Sequence, residues 1–146
     1  MATRSLIGLK NKDNTITTIY NHFDGYPEFV GLQLALNYQD EKTIKKLLGF
    51  GARRTLLGVP SKKETLGNEE KATTHASFEA LAEYVSHGCE EYVYIYEHVE
   101  GLGHAWNAYE VNYGESHDIA NNVIDKNLKY LGAVSPAVKY EHPKVA

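Results

Sequence analysis

The sequence predicts an α+β fold: an antiparallel sheet built from two β-hairpins, with helices packed on one face, in a single domain. Three observations predict it. Residues 5–22 and 90–113 each join two stretches of β-branched or aromatic alternation through a polar or glycine-containing turn. Between and after them, apolar residues recur at helical spacing behind side chains suited to capping. Hairpins and helices are thus segregated along the chain, as in an α+β domain. A chain of 146 residues fits one domain, and at that length it buries on the order of 70% of its unfolded surface without a disulfide.

In order, "SLIGLK" (residues 5–10) and "TITTIYNH" (15–22) form the first hairpin about a turn at Asp13 and Asn14, which tolerate positive φ. Alternation places Ile16, Thr18, Tyr20 and His22 on one face, and Thr17, Ile19, Asn21 and Phe23 on the other. "DGYP" turns the chain, and Pro27 suits the first turn of a helix because its missing N–H has no intrahelical role there. That helix, with Phe29, Val30, Leu32, Leu34, Leu36 and Tyr38, is apolar over much of its circumference and is expected to be buried.

Asp40 caps a second helix with an inward stripe of Ile44, Leu47 and Leu48, ending near Gly49. Residues 51–74 lose the pattern and are read as a long, mobile loop. Ser77 caps a third helix, with Phe78, Leu81, Ala82 and Val85 on one side and Gly88 at its end. "EEYVYIYEHV" alternates Tyr92, Tyr94 and Tyr96 against Val93 and Ile95 and returns through "EGLG" to "HAWNAYEVNY". Residues 116–132 read as a last helix with Ile119, Val123, Leu128 and Leu131 inward.

Composition narrows the function classes. The net charge of −4, from 15 basic and 19 acidic residues, argues against a duplex nucleic-acid surface. No apolar run approaches the ~18–20 residues needed to span a bilayer, so no membrane is expected. With one cysteine, Cys89, and no basic-then-apolar leader, a cytoplasmic setting is the expectation. Tyr, at 11 residues against 4 Phe, supplies rings that also carry a hydroxyl. The ladder Tyr92, Tyr94, Tyr96 lies among Glu90, Glu91, Glu97 and Glu100, which favours packing under helices over stacking on RNA bases.

The chemistry concentrates at "YNHFDGYPEFVG" (residues 20–31). His22 and Asp24, two residues apart at a strand exit, suit a proton-sharing pair or a grip on a polar ligand, and they are the catalytic candidates. The plainer alternative has Asp24 bonding the turn backbone and His22 facing solvent. Thr3 and Arg4 start the first strand, where a guanidinium can take a carboxylate or phosphate bidentately. Arg53 and Arg54, with Lys62 and Lys63, make the long loop locally basic and able to clasp an anion, although such charges also serve to solvate a loop.

No zinc-spaced cysteines and no HExxH occur, so no metal and no cofactor is expected, although His98 and His104 flank a turn and can approach across the second hairpin. Cys89 follows a helix C-terminus, the wrong end for a stabilised thiolate, and reads as a buried small residue. An N-terminal nucleophile is disfavoured, since removal of Met1 exposes Ala2.

The stretches "MATRSLIG", "YNHFDGYPEFVG" and, more loosely, "NYQDEKTIKKLLGFG" resemble a family of small uncharacterised phage and prophage proteins. Its members begin with Met, a small residue and Thr-Arg-Ser, and carry a H-W-D-G-Y-P turn followed by Val-Gly. Phe23 stands where that family has Trp, and the likeness covers roughly the first third of the chain. What the resemblance implies is context: an accessory protein in a bacterial host cytoplasm that counters a host function, by analogy with other phage accessory proteins.

The expectation is therefore a binding protein, with self-association among its properties, that takes a host protein or a small anionic, nucleotide-like ligand. Its site gathers Thr3, Arg4, His22, Asp24, Tyr26, Arg53, Arg54 and Trp106. The alternative is a small hydrolase or transferase using the His22/Asp24 pair.

Overall fold

The computed structural model describes residues 2–66, 70–101, 103–111 and 128–134. Its centre is a six-stranded sheet in the order β3-β2-β1-β4-β5-β6. β1 (Ser5–Lys10) and β2 (Ile16–Asn21) form the first hairpin, and β4 (Tyr92–Val99) and β5 (Gly103–Val111) the second. Both were legible from alternation. β3 (Thr73–His75) pairs antiparallel with β2 at one side, and β6 (Leu128–Ala133) with β5 at the other.

The sheet is mixed, which corrects the expectation of a purely antiparallel one. The hairpins meet through β1 and β4, which run parallel with Ser5 opposite Tyr92 and Leu9 opposite Tyr96. Helices also cover both faces rather than one. α1 (Leu32–Asn37) and α2 (Glu41–Gly49) close one side with Ile7, Leu9, Ile19, Tyr94, Trp106 and Ala108. α3 (Phe78–Ser86) closes the other, its Leu81, Ala82 and Val85 meeting Leu6, Ile16, Val93 and Ile95. The physical reason lies in the two central strands: five of six residues in β1 and the first five of β4 are buried, and strands apolar on both faces need a layer on each.

Capping follows the sequence. The Asp40 carboxylate accepts from Thr43 N at 2.8 Å and the Ser77 hydroxyl from Ala80 N at 3.1 Å. The first helix differs. Pro27–Gly31 is a π-helical turn, and α1 behind it is short, so Val30, Leu34 and Tyr38 are buried while Leu36 is 50% exposed. Tyr92, Tyr94 and Tyr96 are buried under these helices, and the hydroxyls of the last two donate to Gly25 O at 2.6 Å and Gln39 O at 2.8 Å.

The expected last helix is overturned where it can be compared. Leu128 and Leu131 lie in β6, held to β5 with a register shift at Ala108 and Tyr109. An open strand flank outweighs helical spacing. The expected helical positions Ile119 and Val123 lie outside the described residues.

Candidate functional site

The corner at residues 22–26 is built from backbone bonds before any side chain acts. Gly25 N donates to Thr3 O at 2.8 Å, tying the turn to the start of β1. His22 N donates to Arg53 O at 3.0 Å and Phe23 N to Arg54 O at 2.7 Å, so the loop after α2 continues the sheet beside β2. Asp24 adopts φ 59°, a conformation that Asn and Asp tolerate better than most side chains. Gly25 has no room for a side chain: a Cβ there would stand 2.7 Å from Thr3 O and 2.7 Å from Ser5 Oγ.

This corner separates the candidate residues by face. On the α3 side, the Tyr20 hydroxyl and His22 Nδ1 share a hydrogen bond of 2.7 Å, and the His22 ring meets Phe23 edge-on at 4.4 Å. Burial raises the Tyr20 pKa, opposed by the charge and hydrogen bonding of Arg4 and reinforced by Cys89 and Glu90. Arg4, Tyr20 and His22 are therefore neighbours on one half-buried shelf. Phe23 beside them is 44% exposed.

Asp24 turns away from this group. Its carboxylate accepts from the Tyr26 hydroxyl at 3.4 Å, and Tyr26 packs against the α1 and α2 core. The partner of His22 is Tyr20, two residues before it, and not Asp24 two residues after.

Of the arginines, Arg54 is the solvent-facing one, its side chain 57% exposed and 4.0 Å from Glu64. Arg53 is fully buried. Its Nε donates to Thr55 O at 2.7 Å and Nη2 to Ser61 O at 3.2 Å, while Nη1 has no partner among the described residues. Burial lowers its pKa. This guanidinium bonds the loop backbone from inside and does not face solvent. Lys62 and Lys63 lie in a short 3-10 turn capped by Ser61.

Trp106 is not at the site. It lies in the core at 2% exposure and donates from Nε1 to Tyr38 O at 2.7 Å. Cys89, expected buried, is exposed.

Sequence reasoning missed two side chains that extend the shelf. His75 on β3 is buried, its Nε2 3.0 Å from Thr18 Oγ1 and its ring 4.8 Å from Tyr84; burial lowers its pKa. Tyr84, on α3, is 45% exposed, and burial of its hydroxyl raises its pKa, with Glu90 and Glu70 adding to the shift. Face alternation already put Thr18, Tyr20 and His22 together. The pairing of β3 that brings His75 to Thr18 had no local signal.

A cleft of about 260 Å³ opens on the opposite face of the sheet, lined by Leu9, Asn11, Thr17, Lys45, Leu48 and Ala72 among others. It lies apart from the shelf residues. Among the described residues no group of three or more His, Cys, Asp or Glu is arranged to hold a metal ion, and no helix is long and apolar enough to cross a membrane. No family model matches the chain, and neither a curated protein nor a solved structure matches it.

Proposed function

We propose that the protein acts by binding, and that the shelf of Arg4, Tyr20 and His22 takes a small anionic, nucleotide-like ligand. One observation carries this reading: the Tyr20 hydroxyl lies 2.7 Å from His22 Nδ1, with Arg4 acting on the same hydroxyl. A guanidinium, a phenol and an imidazole side by side offer charge-assisted and neutral donors to phosphate or carboxylate oxygens. The exposed ring of Phe23 adds a surface on which a base can stack. Arg54, whose carbonyl accepts from Phe23 N, supplies a second cation near the corner, and this one is exposed.

The hydrolase or transferase reading relied on Asp24 orienting His22. The hydrogen bonds of the corner favour binding over it, because His22 is committed to Tyr20 and Asp24 to Tyr26. In the phage or prophage setting that the N-terminal resemblance implies, sequestering such a ligand, or occupying the host protein that uses it, would counter a host function.

The test is a thermal-shift screen against nucleoside mono-, di- and triphosphates, followed by mass analysis of ligand recovered after denaturation. Binding to the folded state raises the Tm by mass action. The expected result is a Tm rise that Arg4→Ala and His22→Ala abolish, with the nucleotide returned unchanged. No shift with any nucleotide, or an equal shift in both variants, overturns the reading. Altered nucleotide would put the enzymatic alternative in its place.

A further inference from the structure

The β4–β5 hairpin carries two histidines that the shelf does not use. Val99 pairs with Gly103 and His98 with His104, so the two imidazoles project from directly opposed positions of adjacent antiparallel strands, where side chains come closest. Their ring centres lie 5.8 Å apart, with the planes at 74°. Both residues are exposed.

The turn and a neighbouring ring set the geometry of this pair. Gly101 and Gly103 adopt φ 85° and 79°, which glycine reaches without a Cβ penalty, so the turn fixes the register that opposes the two rings. The His104 ring also stacks on Tyr96 at 5.7 Å and 24°. Tyr96 is anchored in turn, its hydroxyl bonded to Gln39 O at 2.8 Å and its ring 5.3 Å from Trp106.

The separation suits chelation. An ion held about 2.0–2.1 Å from one nitrogen of each ring allows ring centres up to roughly 6.4 Å apart. The observed 5.8 Å falls inside that limit. Imidazole is the ligand that zinc, copper and nickel share.

We propose that His98 and His104 form a two-imidazole chelating site for a borderline divalent transition-metal ion (Zn²⁺, Ni²⁺ or Cu²⁺). Two protein nitrogens leave the remaining coordination positions to water or to an exogenous ligand, as in an open site rather than a closed structural one. Bound there, the ion would staple β4 to β5 next to their turn.

The experiment uses the full chain. Cu²⁺ added at one equivalent is followed by electron paramagnetic resonance, and Ni²⁺ affinity by calorimetry, for the native protein and for His98→Ala, His104→Ala, the double variant and the control His87→Ala. The native protein should show two nitrogens in the copper equatorial plane and each single variant one. Because the second ligation is intramolecular, losing either ring should weaken Ni²⁺ binding by on the order of a hundredfold. The double variant should retain neither nitrogen and lose less affinity than the sum of the two single losses, and His87→Ala should match the native protein. Single variants that keep native affinity, or losses that add as independent weak sites, overturn the proposal. Metal-free melting curves of all variants establish that each is folded.

Discussion

Replacing Gly25 by Ala tests the corner on which the shelf depends. A Cβ at this position would lie 2.7 Å from Thr3 O, 2.7 Å from Ser5 Oγ and 2.8 Å from Ser5 Cβ. Comfortable carbon contacts are about 3.5–4.0 Å, or roughly 3.3 Å to an oxygen, so the turn and the start of β1 must separate by about 0.6 Å or more. The Gly25 N to Thr3 O bond, 2.8 Å in the native corner, then stretches towards breaking, and the Tyr94 hydroxyl loses its aim at Gly25 O.

Gly25 does not occupy the left-handed region, so the cost is collision rather than backbone strain. Overpacking of about 1–3 kcal/mol, plus about 1 kcal/mol for a weakened hydrogen bond, gives a destabilisation of about 2–4 kcal/mol. For a chain of this size that lowers Tm by roughly 6–15 °C. Urea and thermal melts of Gly25→Ala measure it, with Gly49→Ala as the control, since nothing lies within 4 Å of a Cβ there. A Gly25→Ala variant within about 0.5 kcal/mol of the native protein refutes the collision argument. Arg4 lies between the two residues the Cβ would strike, so the variant should also lose nucleotide-induced stabilisation.

Three further outcomes are expected. Tyr94→Phe leaves the Gly25 carbonyl without its buried 2.6 Å donor and should cost about 1–3 kcal/mol in urea melts; a neutral result would mean that the carbonyl finds another donor. Arg53→Ala removes the bonds to Thr55 O and Ser61 O, so trypsin should cut at Lys62 and Lys63 faster than in the native fold, and an unchanged cleavage rate would show that the guanidinium does not organise the loop. His75 has its pKa lowered by burial. Its unfolded form therefore takes up a proton first, and stability, full above the unfolded value of about 6.5, falls as pH drops below it until the folded ring protonates. His75→Gln should flatten this decline in melts between pH 7.5 and pH 5, and an identical slope in the variant would assign the effect elsewhere.

What was legible in the sequence was local. Period-two alternation located β1, β2, β4 and β5, and the side chains of Asp40 and Ser77 marked the starts of α2 and α3, because those signals involve residues a few positions apart. The parallel pairing of Ser5–Leu9 with Tyr92–Tyr96 left no such mark. Its only trace is that both strands are apolar on both faces, which also required the second helical layer.

Within the candidate site, face alternation grouped Tyr20 with His22, and proximity in sequence suggested Asp24 instead. The left-handed turn at Asp24 carries its carboxylate towards Tyr26. Arg53 and Trp106 were misplaced for one shared reason. A long polar or amphipathic side chain is drawn inward when backbone carbonyls meet its donors, as Thr55, Ser61 and Tyr38 do here.

The β1–β4 pairing has a consequence for synthesis. β1 leaves the ribosome well before β4, several seconds earlier at roughly 5–20 residues per second. During that interval the nascent β1–β2 hairpin presents the flank of β1 that Tyr92–Tyr96 will occupy, an unpaired edge apolar on both sides and apt to join a neighbouring nascent chain. Synonymous codons that slow translation between residues 22 and 92 would lengthen this exposure, and a chaperone that masks strand edges would raise the yield of folded protein without touching its final stability.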